Sequence, residues 1–274
     1  MSRFDRAAAS YDERSGIPPE RRAEIVRALA GLTRLAPGDV LLELGAGTGQ
    51  LGACFPALGV RYVGLDDSAP MLAEFERRRP AGGAPIELIQ ADVNVTWPVA
   101  SASVRGVFSS RAVHLFDLEH VVAETLRVAR PAVATFVLGR VERDQHGLRG
   151  GLRREMRARL AARGFAPRDG ERRQRRILDA FRARGATPLG PVVAASWSAR
   201  STAARVLEDW RAKPGLGGIE PPDETKAAVL AELAEWAAAR FGSLEAQHDA
   251  EERYVLEGVA LPVRQTPLTM GDMT

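Results

Sequence analysis

The sequence predicts an α/β protein built on a doubly wound, seven-stranded and mostly parallel sheet. Short runs of apolar residues, typical of strands that are buried on both faces, recur seven times along the 274 residues. Segments of helical length separate most of these runs, and this alternation is typical of a parallel sheet with helices on both sides. A glycine-rich stretch, GAGTGQLG (45–52), follows the first run, at the place where such sheets bind their ligands.

The predicted strands and helices follow one another in a regular order. Helices are predicted at 20–32, where Ile25, Leu29 and Leu32 share one face, and at Met71–Arg78 and Val121–Arg130, which end before prolines. The seven predicted strands are Val40–Leu44, Val60–Leu65, Ile86–Ile89, Val104–Ser109, Ala132–Leu138, Val192–Trp197 and Tyr254–Val263.

Composition excludes several classes of protein. The chain contains no apolar run of 18 residues, so no membrane span is predicted. Its first residues are charged and lack an apolar segment, which argues against a secretory signal. The one cysteine, Cys54, cannot form an internal disulfide, and the four histidines show no metal-ligand spacing. We therefore expect a cytoplasmic protein without a metal site.

The glycine-rich stretch fits two patterns. Glu43, Gly45, Gly47 and Gly49 form E-x-G-x-G-x-G, whereas Gly47, Gly49 and Gly52 form the G-x-G-x-x-G of dinucleotide-binding proteins. In both patterns the missing Cβ lets the backbone turn sharply and approach a ligand closely. The glycines alone therefore leave both interpretations open.

Carboxylates at successive strand ends favour the first pattern. Asp66 follows the second strand and suits a ribose in either interpretation. Glu43, however, lies two residues before Gly45, where it would repel a pyrophosphate, and Asp92 adds a third acid after the third strand. Three acids in one crevice suit a positively charged nucleoside without phosphates, and S-adenosyl-L-methionine is such a molecule.

The motifs together resemble those of class I S-adenosylmethionine-dependent methyltransferases, in particular the small-molecule branch similar to ubiquinone/menaquinone-biosynthesis C-methyltransferases. This resemblance implies a Rossmann-like methyltransferase fold, with S-adenosyl-L-methionine as cofactor and S-adenosyl-L-homocysteine as product. The motifs that carry it, in chain order, are FDRAAASYDERSG, LLELGAGTGQLG, VGLDDSAPML, IELIQADV, VFSSRAVHLFDLEHVVAETLRVARP and YVLEGVALP.

The resemblance also implies which residues contact the cofactor. The glycine-rich stretch would lie under the methionine part, Tyr11 would close over that end, and Asp66 would bind the ribose hydroxyls. Asp67 and Met71 would flank the adenine, and Asp92 and the amide of Val93 would contact its amino group. The residues implied for the methionine part are Glu43, Gly45, Ala46, Gly47, Gly49, Ser110 and Arg111.

Two departures from the family pattern lie outside these positions. Arg105 stands where the fourth strand usually has an acid, and Pro131-Ala132-Val133 replaces a Pro-Gly-Gly turn, so we expect a changed turn before the fifth strand. We expect one domain over 1–264, followed by a disordered tail at 265–274. Its parts would be a helical cap (1–35), a cofactor-binding core (36–139), helical lid segments (about 140–185 and 200–245) and a last strand (250–264).

The predicted activity is SN2 methyl transfer to a small-molecule acceptor, such as a specialised metabolite. His114, just past the fourth strand, is the candidate general base, although a histidine that packs against the sheet is the alternative. Residues 140–184 contain 15 arginines, which keeps an RNA methyltransferase as a rival; we nevertheless expect no nucleic-acid partner. A non-catalytic S-adenosylmethionine-binding protein is a second rival and a dinucleotide oxidoreductase a third. The sequence distinguishes neither the methylated element (O, N, C or S) nor the oligomeric state.

Overall fold

The computed structural model of the chain describes residues 17–166 and 170–262. Tyr11, the first part of the predicted cap and the predicted tail lie outside the described residues. The described residues form two compact units. Unit 1 contains the described residues up to Arg140, Arg172–Ala195 and those from Val255 onward, and unit 2 contains those of Val141–Glu171 and Ser196–Tyr254.

The strands of the described residues form one seven-stranded sheet with the order β3-β2-β1-β4-β5-β7-β6. β1 pairs in parallel with β2 and β4, β2 with β3, and β4 with β5. The predicted fold class, a mostly parallel, doubly wound sheet, is therefore confirmed. The strands are β1 Val40–Leu44, β2 Arg61–Asp66, β3 Ile86–Gln90, β4 Gly106–Ser110, β5 Thr135–Arg143, β6 Thr187–Ser201 and β7 His248–Ala260.

The α-helices alternate with the strands in the first half of the chain and cluster in the second. Helix α2 begins after Ser68, whose hydroxyl accepts a hydrogen bond from Met71 N, and α3 begins after Asp117, whose carboxylate accepts one from His120 N. The helices of the described residues are α1 Pro19–Thr33, α2 Ala69–Arg77, α3 Leu118–Val128, α4 Leu148–Ala162, α5 Gly170–Arg182, α6 Ala203–Arg211 and α7 Asp223–Phe241.

The core of unit 1 lies on the sheet and includes one of the two arginine-rich helices. Ile177, Leu178 and Phe181 of α5 are buried there, and the Phe181 ring lies 4.7 Å from that of Phe136 on β5. Helix α5 therefore uses its apolar face to cover the sheet of unit 1. The division of the rest of the chain into cap and lid segments stays a prediction.

Unit 2 has a separate helical core. The apolar stripe of α4, Leu152, Met156 and Leu160, is buried together with residues of α6 and α7, among them Val206 and Leu233. The arginines of α4 occupy the remaining faces of the helix, as expected for an amphipathic helix with one buried stripe. No helix within the described residues is long and apolar enough to cross a membrane.

Two local features differ from the regular pattern. The segment between β1 and β2 is a 3-10 turn, Gly52–Leu58, interrupted by Pro56, which has no N–H for an α-helical hydrogen bond. Before β5, Ala132 adopts a left-handed conformation with φ 67°, which glycine adopts more readily. β5 begins at Thr135, three residues later than predicted, because residues 131–133 form this turn.

Candidate functional site

The carboxyl ends of β1 to β4 meet at one edge of the sheet, because these strands are parallel and adjacent. A cavity of about 200 Å³ lies at this edge, and a smaller one of about 40 Å³ shares four of its lining residues. The larger cavity is lined by Gly45, Gly47, Asp66, Asp67, Met71, Asp92, Val93, Asn94, Ser110, Arg111, Ala112, Leu115 and Phe116. The smaller is lined by Ile17, Glu43, Gly45, Ala46, Gly47, Thr48, Gln50, Leu51, Ser110 and Arg111.

Asp66 joins the loops that follow β1 and β2. Its Oδ2 accepts a hydrogen bond from Gly47 N at 2.8 Å, and its Oδ1 accepts one from Ser68 N at 2.9 Å. The amides of Gly45 and Ala46 donate to the Leu65 carbonyl at 2.9 and 3.0 Å. The carboxylate that the sequence assigns to a ribose therefore also fixes the glycine-rich loop.

Two glycines of this loop, Gly47 and Gly49, differ in the space that surrounds them. Gly47 lines both cavities and has φ 55°, and a Cβ there would meet no atom within 4 Å, so packing does not require glycine at this position. A Cβ on Gly49 would collide with the ring of Phe75, so packing alone requires glycine at this position. Gly49 lines neither cavity, and its predicted cofactor contact stays a prediction.

The loop after β3 forms another wall of the larger cavity. Asp92 Oδ1 accepts hydrogen bonds from Asn94 N at 2.8 Å and from Asn94 Nδ2 at 3.0 Å, which is a closed Asx turn. Asn94 Oδ1 in turn accepts a hydrogen bond from Asp117 N at 2.6 Å, at the start of α3. Asn94 was not predicted from the sequence, although its place directly after Asp92 and Val93 is a usable signal.

Helix α3 fixes the rest of this loop. Trp97 donates from Nε1 to the Val93 carbonyl at 2.9 Å and from its backbone N to Glu124 Oε2 at 2.7 Å. Arg127 donates to the same Oε2 at 2.7 Å and to the Trp97 carbonyl at 2.9 Å. The hydrogen bonds from Arg127 hold the pKa of Glu124 below its usual value. Hydrogen bonds from the buried Trp97 and the charged pair Glu124–Arg127 therefore hold the cavity wall that contains Val93.

Glu43 lies at the wall of the smaller cavity and is almost completely buried, with 3% of its surface exposed. Its Oε2 accepts a hydrogen bond from Tyr62 Oη at 2.6 Å. Burial raises the pKa of Glu43 to about 8, although the Tyr62 hydrogen bond and the charge of Arg111 act in the opposite direction. The sequence predicted Glu43 as a site residue but gave no indication of Tyr62 as its partner.

Arg111 brings a positive charge into the site. It lines both cavities and has φ 60°, a left-handed conformation in which its backbone N donates to the Gly139 carbonyl at 3.0 Å. Ser110, which precedes it, also lines both cavities. The site therefore combines the four carboxyl groups of Glu43, Asp66, Asp67 and Asp92 with a guanidinium. The charge argument made from the sequence considered only the acids.

The structure gathers most of the predicted site residues at these two cavities. His114 is half-buried in the 3-10 turn Val113–Leu115. It lines neither cavity, whereas Leu115 and Phe116 line the larger one. The role of His114 as a general base stays a prediction. The apolar residues Ala112, Leu115 and Phe116 were not predicted, because an apolar residue after a strand gives no sequence signal that separates a cavity wall from the core.

Comparisons with known proteins agree with this architecture. Residues 42–137 match the family model described as methyltransferase domain. The chain is 32% identical over 131 residues to malonyl-[acyl-carrier protein] O-methyltransferase from Serratia marcescens, which covers 47% of this chain and 48% of that protein. It is 33% identical over 136 residues to demethylmenaquinone methyltransferase from Clavibacter sepedonicus, which covers 47% and 52%. The chain therefore spans about half the length of the curated relatives it matches.

Solved structures show the same fold. A protein named as a type II methyltransferase from Anaeromyxobacter dehalogenans superimposes with a TM-score of 0.55 at 21% identity, over 86% of this chain and 97% of that one. The YcgJ protein from Bacillus subtilis superimposes with a TM-score of 0.53 at 14% identity, over 86% and 98%. These two structures confirm the predicted fold. The family model and the curated relatives confirm the resemblance to methyltransferases that the sequence motifs indicated.

Proposed function

We propose that the protein transfers a methyl group from S-adenosyl-L-methionine to a small-molecule acceptor, and the match of residues 42–137 to the methyltransferase-domain family model supports this proposal. The observation that carries the proposal is the cavity at the ends of β1 to β4. It is lined by Asp66, Asp67 and Asp92 together with Gly45 and Gly47. The cofactor would supply a methyl group on a sulfonium, which an acceptor nucleophile would take in an SN2 displacement with the thioether S-adenosyl-L-homocysteine as the leaving group. The protein contributes by holding the cofactor and the acceptor in line.

The residues present suit this cofactor better than a dinucleotide. Dinucleotide sites place a pyrophosphate against free loop amides at the N-terminus of an α-helix. Here the Gly47 amide donates to the Asp66 carboxylate, and the segment after the loop, Gly52–Leu58, is a 3-10 turn. The carboxylates of Asp66, Asp67 and Asp92 line the larger cavity and would repel phosphates, but they would attract a sulfonium and an ammonium. Both features argue against the oxidoreductase alternative.

Different residues of the site would contact different parts of the cofactor. Asp66 would bind the ribose hydroxyls, Met71 and Val93 would contact the adenine from two sides, and Asp92 would lie at its edge. Glu43 and Arg111 would lie near the amino-acid end. Met71 and Val93 are each 3% exposed, which suits an apolar slot for a base.

A small acceptor is supported by the names of the relatives, malonyl-[acyl-carrier protein] and demethylmenaquinone methyltransferases. The arginine-rich helix α4 gives little support to an RNA acceptor, because its apolar stripe is buried in unit 2. Arg159 also pairs with Glu155 at 2.6 Å and with Glu232 at 3.5 Å. Guanidinium groups that already pair with carboxylates are weaker candidates for contacts with phosphates.

Calorimetry with the full chain tests the proposal. We expect S-adenosyl-L-methionine and S-adenosyl-L-homocysteine to bind and NAD(H) not to bind. Gly47→Ala adds a methyl group at a residue that lines both cavities, and we expect it to remove cofactor binding. Gly38→Ala is the matched control, since Gly38 also has a positive φ, 88°, and open space around its Cβ, but it lies outside both cavities. NAD(H) binding without a signal from the sulfonium cofactor would refute the proposal.

The acceptor class has its own test. RNA affinity should be weak and non-specific at physiological salt, and changing Arg153, Arg154 and Arg157 together to glutamine should alter small-molecule turnover only modestly. Tight, sequence-dependent RNA binding that falls steeply with salt, and that the triple variant loses, would replace the small-molecule acceptor with RNA. It would leave the cofactor assignment intact.

A further inference from the structure

Tyr62 reaches Glu43 from the neighbouring strand because a glycine leaves room for it. In the β1–β2 pairing Leu41 is opposite Tyr62, and Glu43 is opposite Gly64. A Cβ on Gly64 would lie 3.2 Å from Tyr62 Oη and 2.8 Å from Ala46 Cβ. Because Gly64 has no side chain, the Tyr62 hydroxyl reaches diagonally across the two strands and donates to Glu43 Oε2 at 2.6 Å.

The aromatic ring of Tyr62 is held on both sides. It stacks on Phe55 with ring centroids 5.9 Å apart and packs against Phe75 at 5.6 Å. Tyr62 is 1% exposed, and both phenylalanines are completely buried. A phenol fixed in this way has little rotational freedom, so its hydroxyl sets the position of the Glu43 carboxyl group.

The surroundings of Glu43 disfavour its charged form in the absence of a ligand. A buried carboxylate is stable only when it is paired with a cation or fully hydrogen-bonded, and otherwise it takes up a proton. The partner within hydrogen-bonding distance is the neutral phenol of Tyr62. Of the charged groups that act on Glu43, Arg111, after β4, favours ionisation, and Asp66, on β2, opposes it.

A cationic ligand in the smaller cavity would reverse this balance. Glu43 lines that cavity together with Gly45 and Gly47 of the glycine-rich loop. A positive charge within a few ångströms stabilises a carboxylate strongly in a site of low dielectric constant. The Tyr62 hydroxyl would then donate to a charged acceptor, and such hydrogen bonds are roughly twice as strong as neutral ones.

We propose, as an extension of the proposed function, that Tyr62 is a positioning residue for the cofactor: its hydroxyl fixes Glu43 as the carboxylate that takes up the positive charge of S-adenosyl-L-methionine, and cofactor binding releases the proton of Glu43 to the solvent. The O–H bond of the Glu43 carboxyl group breaks, its electron pair stays on the carboxylate, and the proton passes to the buffer.

Proton release can be counted by calorimetry at pH 7 in two buffers of different ionisation enthalpy. The wild-type chain should release most of one proton for each S-adenosyl-L-methionine bound. S-adenosyl-L-homocysteine keeps the ammonium group but lacks the sulfonium charge, so its proton release should not exceed that of S-adenosyl-L-methionine. Glu43→Gln should bind the sulfonium cofactor without this release. An equal release by wild type and Glu43→Gln would overturn the inference.

Tyr62→Phe tests the positioning role. Without the hydroxyl, the charged form of Glu43 is less stable, so affinity for S-adenosyl-L-methionine at pH 7 should fall about tenfold. The loss should shrink as the pH is raised toward 9, because Glu43 is then ionised before binding. In a Glu43→Gln background, Tyr62→Phe should add no further loss. Tyr254→Phe, which removes the hydroxyl of another fully buried tyrosine, is the matched control.

The outcomes separate this inference from the proposed function. If the wild-type chain does not bind S-adenosyl-L-methionine, the proposed function fails. If it binds the cofactor with no proton release, or if Tyr62→Phe weakens binding equally at all pH values, the function stands and the inference is wrong.

Discussion

Replacement of Glu43 by glutamine should change how the stability of the ligand-free protein depends on pH. Burial raises the pKa of Glu43 from 4.5 to about 8. Between these two values the native state binds one proton more than the unfolded state does, so the free energy of unfolding falls as the pH rises. The stabilisation is fully present below pH 4.5 and is lost as the pH rises to about 8.

The size of this effect follows from the pKa. Each pH unit within the window changes the free energy of unfolding by about 1.4 kcal/mol for a single proton. Between pH 5 and pH 7 the wild-type chain should therefore lose about 3 kcal/mol through Glu43. Glutamine has no proton to lose, so the Glu43→Gln variant should gain stability relative to wild type by this amount over the same interval.

Urea unfolding from pH 5 to pH 9, followed by tryptophan fluorescence, measures the difference between the two proteins. Trp97 is a suitable reporter because it is 2% exposed in the core of unit 1. Glu124→Gln is the matched control, since Glu124 is also buried but Arg127 lowers its pKa. The stabilisation that Glu124 contributes is lost only as the pH falls through the acidic range. The difference in free energy of unfolding between Glu124→Gln and wild type should therefore stay constant above pH 6. A constant difference for Glu43→Gln would refute the reasoning.

Three further changes have defined outcomes. Asp66→Asn should weaken S-adenosyl-L-methionine binding by about 1.5–3 kcal/mol in calorimetry, because a charge-assisted hydrogen bond is lost; unchanged affinity would remove Asp66 from the site. His114→Ala should lower turnover of an alcohol or carbon acceptor and remove the histidine limb of the pH–rate profile, with cofactor affinity unchanged; an unaltered profile would make His114 a packing residue. Ala132→Gly should raise the free energy of unfolding by up to about 1 kcal/mol, because it relieves a left-handed alanine; a loss of stability would show that the turn at φ 67° carries no strain.

Much of the fold follows from periodicity that is local in sequence. β1 has the predicted bounds, Val40–Leu44, because a short apolar run between a Pro-Gly break and a glycine-rich loop has few other structures available. β2 begins and ends one residue later than predicted, and β3 begins at the predicted residue but ends one residue later. Asp66 and Asp92 were predicted at the site because an acid that ends a buried strand lies at the sheet edge where ligands bind.

The parts that were not predicted depend on contacts between distant residues. The hydrogen bond between Tyr62 and Glu43 needs the β1–β2 register and the space over Gly64, and neither is visible in one strand alone. The support of Val93 by Trp97 and Glu124 likewise joins two elements. Arg111 was implied for the methionine part of the cofactor, but the charge that its side chain brings to Glu43 was not considered.

The composition of unit 2 limits how the chain can be engineered. The unit is assembled from two separate stretches, and the chain passes between the two units four times: inside β5, near the start of α5, inside β6 and inside β7. A graft of the first stretch alone would import α4 without the helices that bury Leu152. Chimaeras with homologous proteins therefore need both stretches exchanged together, with the four junctions placed in β5, α5, β6 and β7 rather than in loops.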